Sequence, residues 1–267
     1  MYLYFFVVAF LASAIGGICG IGGGIIIKPL LDATGTLPVR VVSFLSGTTV
    51  LSMTLVSVLQ NLAKRGRGEE ARIESATTLP LALGSILGGV AGKRAFDLAR
   101  LTFGSEALVG LVQAALLVAI TAGTFAYTLA ASRIRTLRVR GVAAKVAIGF
   151  LLGIVSSFLG IGGGPINICF LSFFFSMDAR TSVINSLFVI LFSQLASLAS
   201  GIAFRSIPPV EPGYLAAMIA AGVAGGMLGR RIHSAITVRA LRALFLGCMG
   251  LIVAICAWNI ALFARAL

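Results

Sequence analysis

Charged side chains are scarce in this 267-residue sequence. Only 11% of the residues are Asp, Glu, Lys or Arg, whereas 59% are apolar and the mean hydropathy is +1.08. A soluble domain has about a quarter of its residues charged, so this composition could not cover a water-exposed surface. No polar stretch is long enough to form a soluble domain or a flexible linker. The sequence therefore predicts a protein that lies almost entirely within a membrane.

The residues that metal, redox and catalytic sites need are also few. The four cysteines lie in apolar runs without the paired spacings of metal or redox sites, which predicts buried free thiols at Cys19, Cys169, Cys248 and Cys256. The single histidine, His233, lies between basic residues, where we expect it to be solvated. No Ser/His pair, pair of Asp or metal-ligand set lies inside the apolar segments. The sequence therefore predicts no enzyme, no metal and no cofactor.

Basic residues exceed acidic ones, and the formal net charge is +13. They are dispersed in short clusters between apolar runs, without the basic patch and interleaved aromatics of a nucleic-acid surface. We therefore assign them to membrane orientation and lipid headgroups rather than to nucleic acid. The apolar N-terminus contains Ala12-Ser13-Ala14, which resembles a signal-peptide cleavage site, but no positive charge precedes the apolar core. Since this segment has a counterpart in the second half, we expect it to be retained.

Two copies of one unit follow each other along the chain. Gly20-Ile21-Gly22-Gly23-Gly24 recurs unchanged 140 residues later as Gly160-Ile161-Gly162-Gly163-Gly164. At the same shift Arg40 matches Arg180 and Ser46 matches Ser186, and the segment 88–94 resembles 225–231 at a shift of 137. The expected domains are a first transmembrane repeat at 1–132, a basic cytoplasmic connection at 133–140 and a second transmembrane repeat at 141–267.

Each copy has one apolar segment interrupted by the glycines, at 2–33 and 142–176, and then three ordinary spans. The spans are expected at 41–62, 75–95 and 106–130, and at 181–204, 212–230 and 238–263. A crossing needs ~20 apolar residues. The interrupted segments are therefore too long for one straight crossing and too short for two.

Two topologies fit these lengths. If each interrupted segment crosses once, the chain has eight spans and its basic residues divide 11 to 10 between the two sides. If each segment returns to its own side as a re-entrant hairpin, each copy crosses three times, the copies are inverted, and the division is 14 to 7. The second division is the bias that the positive-inside rule expects. The sequence thus favours an all-α polytopic membrane protein with two inverted repeats and both termini outside.

Glycines in the middle of a membrane segment favour a functional break. Irregular backbone at membrane depth survives only beside protein or a water-filled cavity, and glycine permits the positive φ angles that it requires. The helix that resumes after the break directs free amides and the positive end of its dipole inward, which favours an anion. Two such helices related by a repeat are typical of secondary transporters. Glycines elsewhere are expected to let helices pack closely: Gly84, Gly88, Gly92, Gly222, Gly226 and Gly229.

The motifs resemble those of the TauE/SafE family, the sulfite exporter-like permeases also called the toluene sulfonate uptake permease family. The resemblance covers nearly the whole chain: a GIGGG, then an apolar stretch with proline (Pro29-Leu30-Leu31, and Pro165 in the second copy), then a small-polar pair near the start of the next span. Those pairs are Leu45-Ser46 and Asn185-Ser186 here, and Leu45 departs from the usual Thr-Ser. The resemblance implies a secondary transporter in the cell (inner) membrane for sulfite, sulfonates or related oxyanions.

An oxyanion site needs hydroxyl, amide or basic donors besides the glycine amides. Ser46 and Thr49 share one face of their span, although hydroxyls in membrane helices also bond their own backbone. Lys28 either approaches the anion or extends its ammonium to the interface. Arg40 and Arg180 open their spans as interfacial anchors or gates. The predicted substrate-binding residues are Gly20, Gly22, Gly23, Gly24, Lys28, Ser46, Thr49, Gly160, Gly162, Gly163, Gly164, Pro165, Asn167, Asn185, Ser186 and Gln194.

The leading hypothesis is an exporter of small sulfur oxyanions that works by alternating access around the two glycine motifs. An anion channel, a transporter of another small anion and a structural subunit are the alternatives. Neither motif is followed by Lys-Ser or Lys-Thr, which excludes a nucleotide phosphate loop. The carboxylates that could carry a coupling proton flank the spans, so the sequence predicts no strong proton site: Asp32, Asp97, Asp178 and Glu211. The coupling ion and assembly into a homo-oligomer stay open.

Overall fold

The computed structural model describes residues 2–64 and 73–267, in which the regular structure is helical. The α helices are α1 (Tyr2–Cys19), α2 (Gly24–Asp32), α3 (Val39–Lys64), α4 (Ser75–Phe103), α5 (Glu106–Ala130), α6 (Val142–Leu159), α7 (Pro165–Phe175), α8 (Ala179–Ala203), α9 (Pro212–Ala235) and α10 (Val238–Arg265). Eight of these described helices, all except α2 and α7, are long and apolar enough to cross a membrane. The expectation of an all-helical, multi-pass membrane protein is confirmed.

The helices cover the six ordinary spans expected from the sequence, but α4 is longer than expected. It continues from the expected end at 95 to Phe103 and stops at Gly104, whose φ of 62° lies in the left-handed region. Lys93 and Asp97 form an i,i+4 ion pair of 2.8 Å across the expected end. Because the two side chains neutralise each other's charge, this polar turn remains helical and α4 continues beyond residue 95.

Helix starts are set by side chains that accept backbone hydrogen bonds. The Asp178 carboxylate accepts the backbone N–H groups of Arg180 and Thr181 at the start of α8, at 2.9 and 3.1 Å. Partial burial raises the pKa of Asp178, but these hydrogen bonds and one from the Thr181 hydroxyl outweigh it, so the pKa lies below its usual value. Ser105 and Thr237 cap α5 and α10 in the same way.

The two ends of each interrupted segment lie side by side. In the first copy the Tyr4 hydroxyl, near the start of α1, is 3.5 Å from the Leu30 carbonyl oxygen near the end of α2. In the second copy the residues before α6 bond to the end of α7, with the Leu137 N–H donating to the Phe173 carbonyl oxygen at 2.7 Å. In both copies the end of the interrupted segment thus contacts residues near its beginning.

The contacts between copies define the directions of the long helices. Helix α1 runs parallel to α9, because the Tyr2 ring lies 4.5 Å from the Tyr214 ring and His233 Nδ1 lies 2.8 Å from the Ile18 carbonyl oxygen. Helix α6 runs parallel to α4, since the Lys145 ammonium donates to the Ala76 carbonyl oxygen near both starts. We call the face at which α1 begins the first face and the face at which α6 begins the second face.

The same interlocking occurs twice in the molecule. The interrupted helix α1 of the first copy packs on α9 of the second, and its counterpart α6 packs on α4 of the first. Likewise α3 packs on α9 and α8 packs on α4, while α2 contacts α10 and α7 contacts α5. Each copy therefore buries its apolar surface mainly against the other copy.

Glycines outside the motifs make these contacts close. A Cβ added to Gly88 on α4 would overlap the Phe150 carbonyl oxygen on α6, and one added to Gly229 on α9 would overlap that of Ala14 on α1. The same holds for Gly84 and Gly92 against α6. These contacts agree with the packing role expected from the glycine spacing.

Candidate functional site

The two glycine motifs form the non-helical connections inside the interrupted segments. Helix α1 ends at Cys19 and α2 begins at Gly24, and α6 ends at Leu159 and α7 begins at Pro165. Both connections use left-handed backbone at the first and third residues of the motif, with φ of 71° and 72° at Gly20 and Gly22 and of 65° and 74° at Gly160 and Gly162. The second motif also has positive φ at Gly163 and Gly164, so the copies differ just before the helix that follows.

The motifs meet each other in the centre of the protein. A Cβ on Gly22 would lie 3.6 Å from the Gly162 carbonyl oxygen, and one on Gly164 would lie 3.1 Å from Ile25 Cδ1 on α2. The first turns of α2 and α7 are therefore neighbours, and all residues of both motifs are buried. The first turn of a helix presents N–H groups that lack intrahelical partners. Two such turns side by side concentrate hydrogen-bond donors and positive dipole ends at one buried place.

Each motif packs on the first ordinary span of the other copy. A Cβ on Gly20 would lie 2.6 Å from Val183 Cα on α8, and a Cβ on Gly160 would lie 2.6 Å from Ser43 Cβ on α3. Val183 and Ser43 are themselves equivalent at the shift of 140 residues. The equivalence seen in the sequence thus extends to the contacts of the motifs.

The predicted serines bind the motif backbone, whereas the threonine binds its own helix. The Ser186 hydroxyl donates to the Gly20 carbonyl oxygen at 2.8 Å, and the Ser46 hydroxyl donates to that of Gly24 at 3.3 Å. The Thr49 hydroxyl donates to the Leu45 carbonyl oxygen at 2.7 Å. Ser46 and Ser186 therefore hold the motifs in place, while Thr49 satisfies its hydroxyl within α3.

The two predicted asparagines have different surroundings. Asn167, in the first turn of α7, is buried beside Gly163, and its Oδ1 atom has no hydrogen-bond partner among the described residues. Asn185 lies on α8, but its Oδ1 accepts the Glu74 N–H at 3.0 Å and the Thr78 hydroxyl at the start of α4. Its Nδ2 donates to the Thr181 carbonyl oxygen at 2.7 Å. Asn167 thus faces the motif, and Asn185 joins α8 to α4.

A cavity of about 50 Å³ reaches the second motif from the first face, which is enough space for a few water molecules. Its inner wall includes Gly160 and Gln194, and its outer part includes Arg40 and Lys93. Gln194 is buried, and its side-chain amide nitrogen Nε2 donates to the Ser156 hydroxyl at 3.2 Å. Hydroxyls from three helices complete the polar part of the lining: Ser43, Thr48, Ser157 and Ser197.

The predicted basic residues separate into one that lines the cavity and two that do not. Arg40 lines its rim and approaches Glu106 at 3.5 Å, in an ion pair that is more than one third exposed. Arg180, at the second face, donates to the Ile236 carbonyl oxygen at 2.7 Å. Lys28 is buried and its ammonium lies 2.7 Å from Asp32 Oδ2, so its charge is compensated within α2 and does not reach the interface.

Positions equivalent to the cavity lining lie towards the second face, and they are more deeply buried. Ser197 and Lys93 are half-buried, whereas their equivalents Ser57 and Arg230 are 2% and 3% exposed.

His233 is the residue equivalent to Phe96, which lines the cavity. The expectation that His233 is a solvated loop residue is wrong, because it lies inside α9, is 3% exposed and contacts the Ile18 carbonyl oxygen. The basic residues around it suggested a loop, but the helix continues to Ala235.

Sequence reasoning missed the cavity residues on α4 and α6. Lys93 and Ser157 do not belong to the glycine motifs or to the small-polar pairs, and no pattern in a single sequence brings α4 beside α6. The signal that could have found them is the repeat itself, since Lys93 is equivalent to Arg230 at the shift of 137 residues. A basic residue kept at matching places in two diverged copies is a candidate for function.

The fold and the buried motifs define an all-helical, multi-pass membrane protein with an internal polar site. The chain belongs to the family described as Sulfite exporter TauE/SafE, whose sequence model matches residues 5–256. This is a family of membrane transporters of the sulfite and sulfonate exporter type. No curated protein and no solved structure matched the chain.

Proposed function

We propose that the protein is a secondary transporter that exports small sulfur-containing oxyanions, such as sulfite or organosulfonates, by alternating access around the two glycine motifs. The observation that carries the proposal is the meeting of the two motifs at a buried place that a cavity reaches from one face. Membership of the sulfite exporter family supports the class of cargo. Localisation in the cell (inner) membrane is part of the proposal.

The directions of the helices support inverted repeats. Helices α3 and α9 are parallel, because Gly222 approaches Thr49 and Gly226 approaches Met53. Since α8 and α9 are joined by a short connection and run in opposite directions, α3 and its counterpart α8 are antiparallel. The paired ends of each interrupted segment agree with two re-entrant hairpins, one from each face. In this topology each copy crosses three times, and the termini lie on the less basic side, outside the cell.

The chemistry of the centre suits a small anion. The first turns of α2 and α7 supply backbone donors and positive dipole ends, and the Asn167 Nδ2 group, a hydrogen-bond donor, lies beside Gly163. Glycine leaves room for an oxyanion to approach the backbone closely. We propose that the motif glycines, Asn167 and Gln194 bind the anion, while Ser46 and Ser186 hold the motifs in position.

The difference between the two faces favours a carrier over a channel. A channel needs a path to the site that is open to both sides at once. The cavity at the first face reaches Gly160, whereas the cavity at the second face is lined by Cys19 and Val183 and by no motif residue. Ser57 and Arg230, which are equivalent to two lining residues of the first cavity, are buried. If the first copy adopted the present conformation of the second copy and the second that of the first, the site would become accessible from the second face instead of the first, as expected for inverted repeats. We propose that Arg40 and Arg180 act at the two entrances.

The test is uptake of radiolabelled sulfite into liposomes that contain the purified protein. Sulfate, thiosulfate and small sulfonates serve as competitors. We expect sulfite uptake to saturate as the sulfite concentration rises. At least one of the competing anions should block it. Uptake that stays linear with concentration would favour the channel, and a folded protein that takes up none of these anions would contradict the proposed cargo.

A further inference from the structure

The most unusual charged group in the described chain is the ion pair on α2. Lys28 Nζ lies 2.7 Å from Asp32 Oδ2, and the two side chains are only 3% and 7% exposed. Ionisable residues inside a membrane domain are costly, and by default they indicate a functional site with a definable partner. The repeat does not require the pair, since the equivalent residues in the second copy are Ile168 and Ser172.

The pair leaves one carboxylate oxygen unused. Asp32 Oδ2 accepts from Lys28, but Oδ1 is buried and has no hydrogen-bond partner among the described residues. A buried carboxylate normally has its oxygens satisfied. An oxygen left without a donor is the place where a proton would bind.

A cavity at the first face reaches Asp32. Asp32 lines a cavity of about 350 Å³ together with the turn that follows α2, the start of α5 and the end of α10. The turn residues Thr34, Gly35 and Thr36 are exposed. A proton from bulk water therefore has a short path to Asp32 without passing the cavity at the glycine motifs.

The titratable and charged groups around the pair come from four helices. Tyr4 on α1 contacts α2 at the Leu30 carbonyl oxygen, and Cys256 on α10 lies within electrostatic reach of both Lys28 and Asp32. Glu106 on α5 shares the cavity with Asp32 and interacts with Arg40 on α3. Of the carboxylates near this cavity, Asp32 is the deeply buried one, whereas Glu106 is 38% exposed.

We propose that Asp32, paired with Lys28, is a proton-binding site that couples anion transport to protons, an inference that rests on the proposed function. A proton from water forms an O–H bond at Asp32 Oδ1, and Lys28 keeps its ammonium. The pair thereby changes from a net charge of zero to +1. Lys28 lies one helical turn beyond Gly24, about 6 Å along the axis, so the added charge sits behind the helix start that faces the anion.

Proton and anion then favour each other's binding. This linkage is reciprocal: a proton at Asp32 strengthens anion binding by the same factor by which the anion strengthens proton binding. Coupling factors of about 5–150-fold are usual for linked sites. A carrier that crosses with both ligands or with neither moves anion and proton in the same direction, so a gradient of either one drives the other. Export then runs down the outward gradient of the anion and takes a proton with it.

The experiment uses the full chain in liposomes with methanesulfonate, an anion that stays ionised and carries no proton of its own. Exchange of labelled for unlabelled methanesulfonate at equal pH needs no net proton movement and tests the proposed function. Accumulation driven by a pH gradient, with proton uptake followed by an internal dye, tests the coupling. In the double variant Lys28→Gln/Asp32→Asn we expect exchange to continue, while accumulation and anion-dependent proton uptake are lost.

A carboxylate outside both cavities provides the control. Glu211, just before α9, is exposed and accepts a hydrogen bond from the Tyr2 hydroxyl. The variant Glu211→Gln should keep the wild-type number of protons moved per anion. Proton-driven accumulation by the Lys28→Gln/Asp32→Asn variant, or exchange of methanesulfonate by the wild type without proton-driven accumulation, would overturn the coupling.

Proton binding itself has a readout that needs no transport. Infrared difference spectra of the purified protein between mildly acidic and mildly alkaline pH should contain a protonated carboxyl C=O band, and Lys28→Gln/Asp32→Asn should remove it. Absence of exchange with this band present would refute methanesulfonate transport but keep the proton site. A band that is unchanged in the variant would refute the proton site.

Discussion

Gly22 and Gly162 hold equivalent places in the two motifs, but the space around them differs. Both have φ near 73°, at 72° and 74°, where any side chain is strained. A Cβ on Gly22 would meet its nearest atoms at 3.5 Å and beyond, in ordinary contact, whereas a Cβ on Gly162 would lie 2.8 Å from Val50 Cβ on α3. Conformational strain is thus common to both positions, and steric overlap belongs to Gly162 alone.

We predict that Gly162→Ala is more damaging than Gly22→Ala. The left-handed backbone costs each alanine about 1–2 kcal/mol, and displacement of Val50 adds about 1–3 kcal/mol for Gly162→Ala. Thermal unfolding in detergent and initial sulfite uptake in liposomes measure the two effects. Gly123→Ala on α5, where no atom lies within 4 Å of the added Cβ, is the control and should keep full uptake. Equal stability of the two motif variants would contradict the role of Val50.

Residue patterns predicted the motifs but not all the partners of the polar side chains. The identical glycines in two copies indicated positive φ angles, and Gly20, Gly22, Gly160 and Gly162 have them. The sequence could not predict that Asn185 bonds to the start of α4, because Thr78 lies 107 residues away along the chain. Only the packing of α8 against α4 brings these residues together.

At the level of helices, close contact between α4 and α6 depends on glycines whose Cα atoms face a neighbouring backbone. Gly84, Gly88 and Gly92 lie along one side of α4, against the carbonyl groups of α6. Since lipid is as apolar as the helix surface, such contacts stabilise the pair through packing rather than through exclusion of water. The helix α10 has glycines as well, but Gly247 and Gly250 face no atom within 4 Å of an added Cβ.

We predict opposite stability changes for Gly88→Ala and Gly250→Ala. The first introduces a methyl group where Ile154 N would be 2.9 Å away and the Phe150 carbonyl oxygen even closer, so we expect a loss of about 1–3 kcal/mol. Gly250→Ala reduces the flexibility of the unfolded chain and causes no steric clash in α10, so it should stabilise the protein by about 0.5–1 kcal/mol. Thermal unfolding of both variants in one detergent measures the difference. Shifts of the same sign would contradict the packing role of Gly88.

Across the whole molecule, helices from the first half of the chain pack on helices from the second half, and this limits what a single sequence can predict. Apolar length predicted the spans, and the glycine shift predicted the repeat. The pairing of α1 with α9 and of α6 with α4 could not be predicted, because helices of similar hydrophobicity can pack in many orders. The cavity depends on that pairing, since α3, α4, α6 and α8 all line it.

Alternating access makes a prediction that uses the equivalence of the copies directly. Ser197 lines the cavity towards the first face, and its equivalent Ser57 is 2% exposed towards the second face. Single cysteines at these positions, Ser197→Cys and Ser57→Cys, can be introduced after the four buried native cysteines are replaced by alanine. A membrane-impermeant maleimide, added from one side of the membrane at a time, then reports which position faces water.

Without substrate, we expect Ser197→Cys to react from outside and Ser57→Cys to be protected, because Ser197 lines the cavity at the first face and Ser57 is buried. During sulfite exchange, Ser57→Cys should become reactive from the cytoplasmic side while the reaction at Ser197→Cys slows, since the two environments exchange. Reaction of both positions at the same rate with and without sulfite would indicate a continuous pore. Reaction of both from the same side of the membrane would contradict the inverted relation of the copies, because equivalent positions in inverted repeats must open to opposite sides.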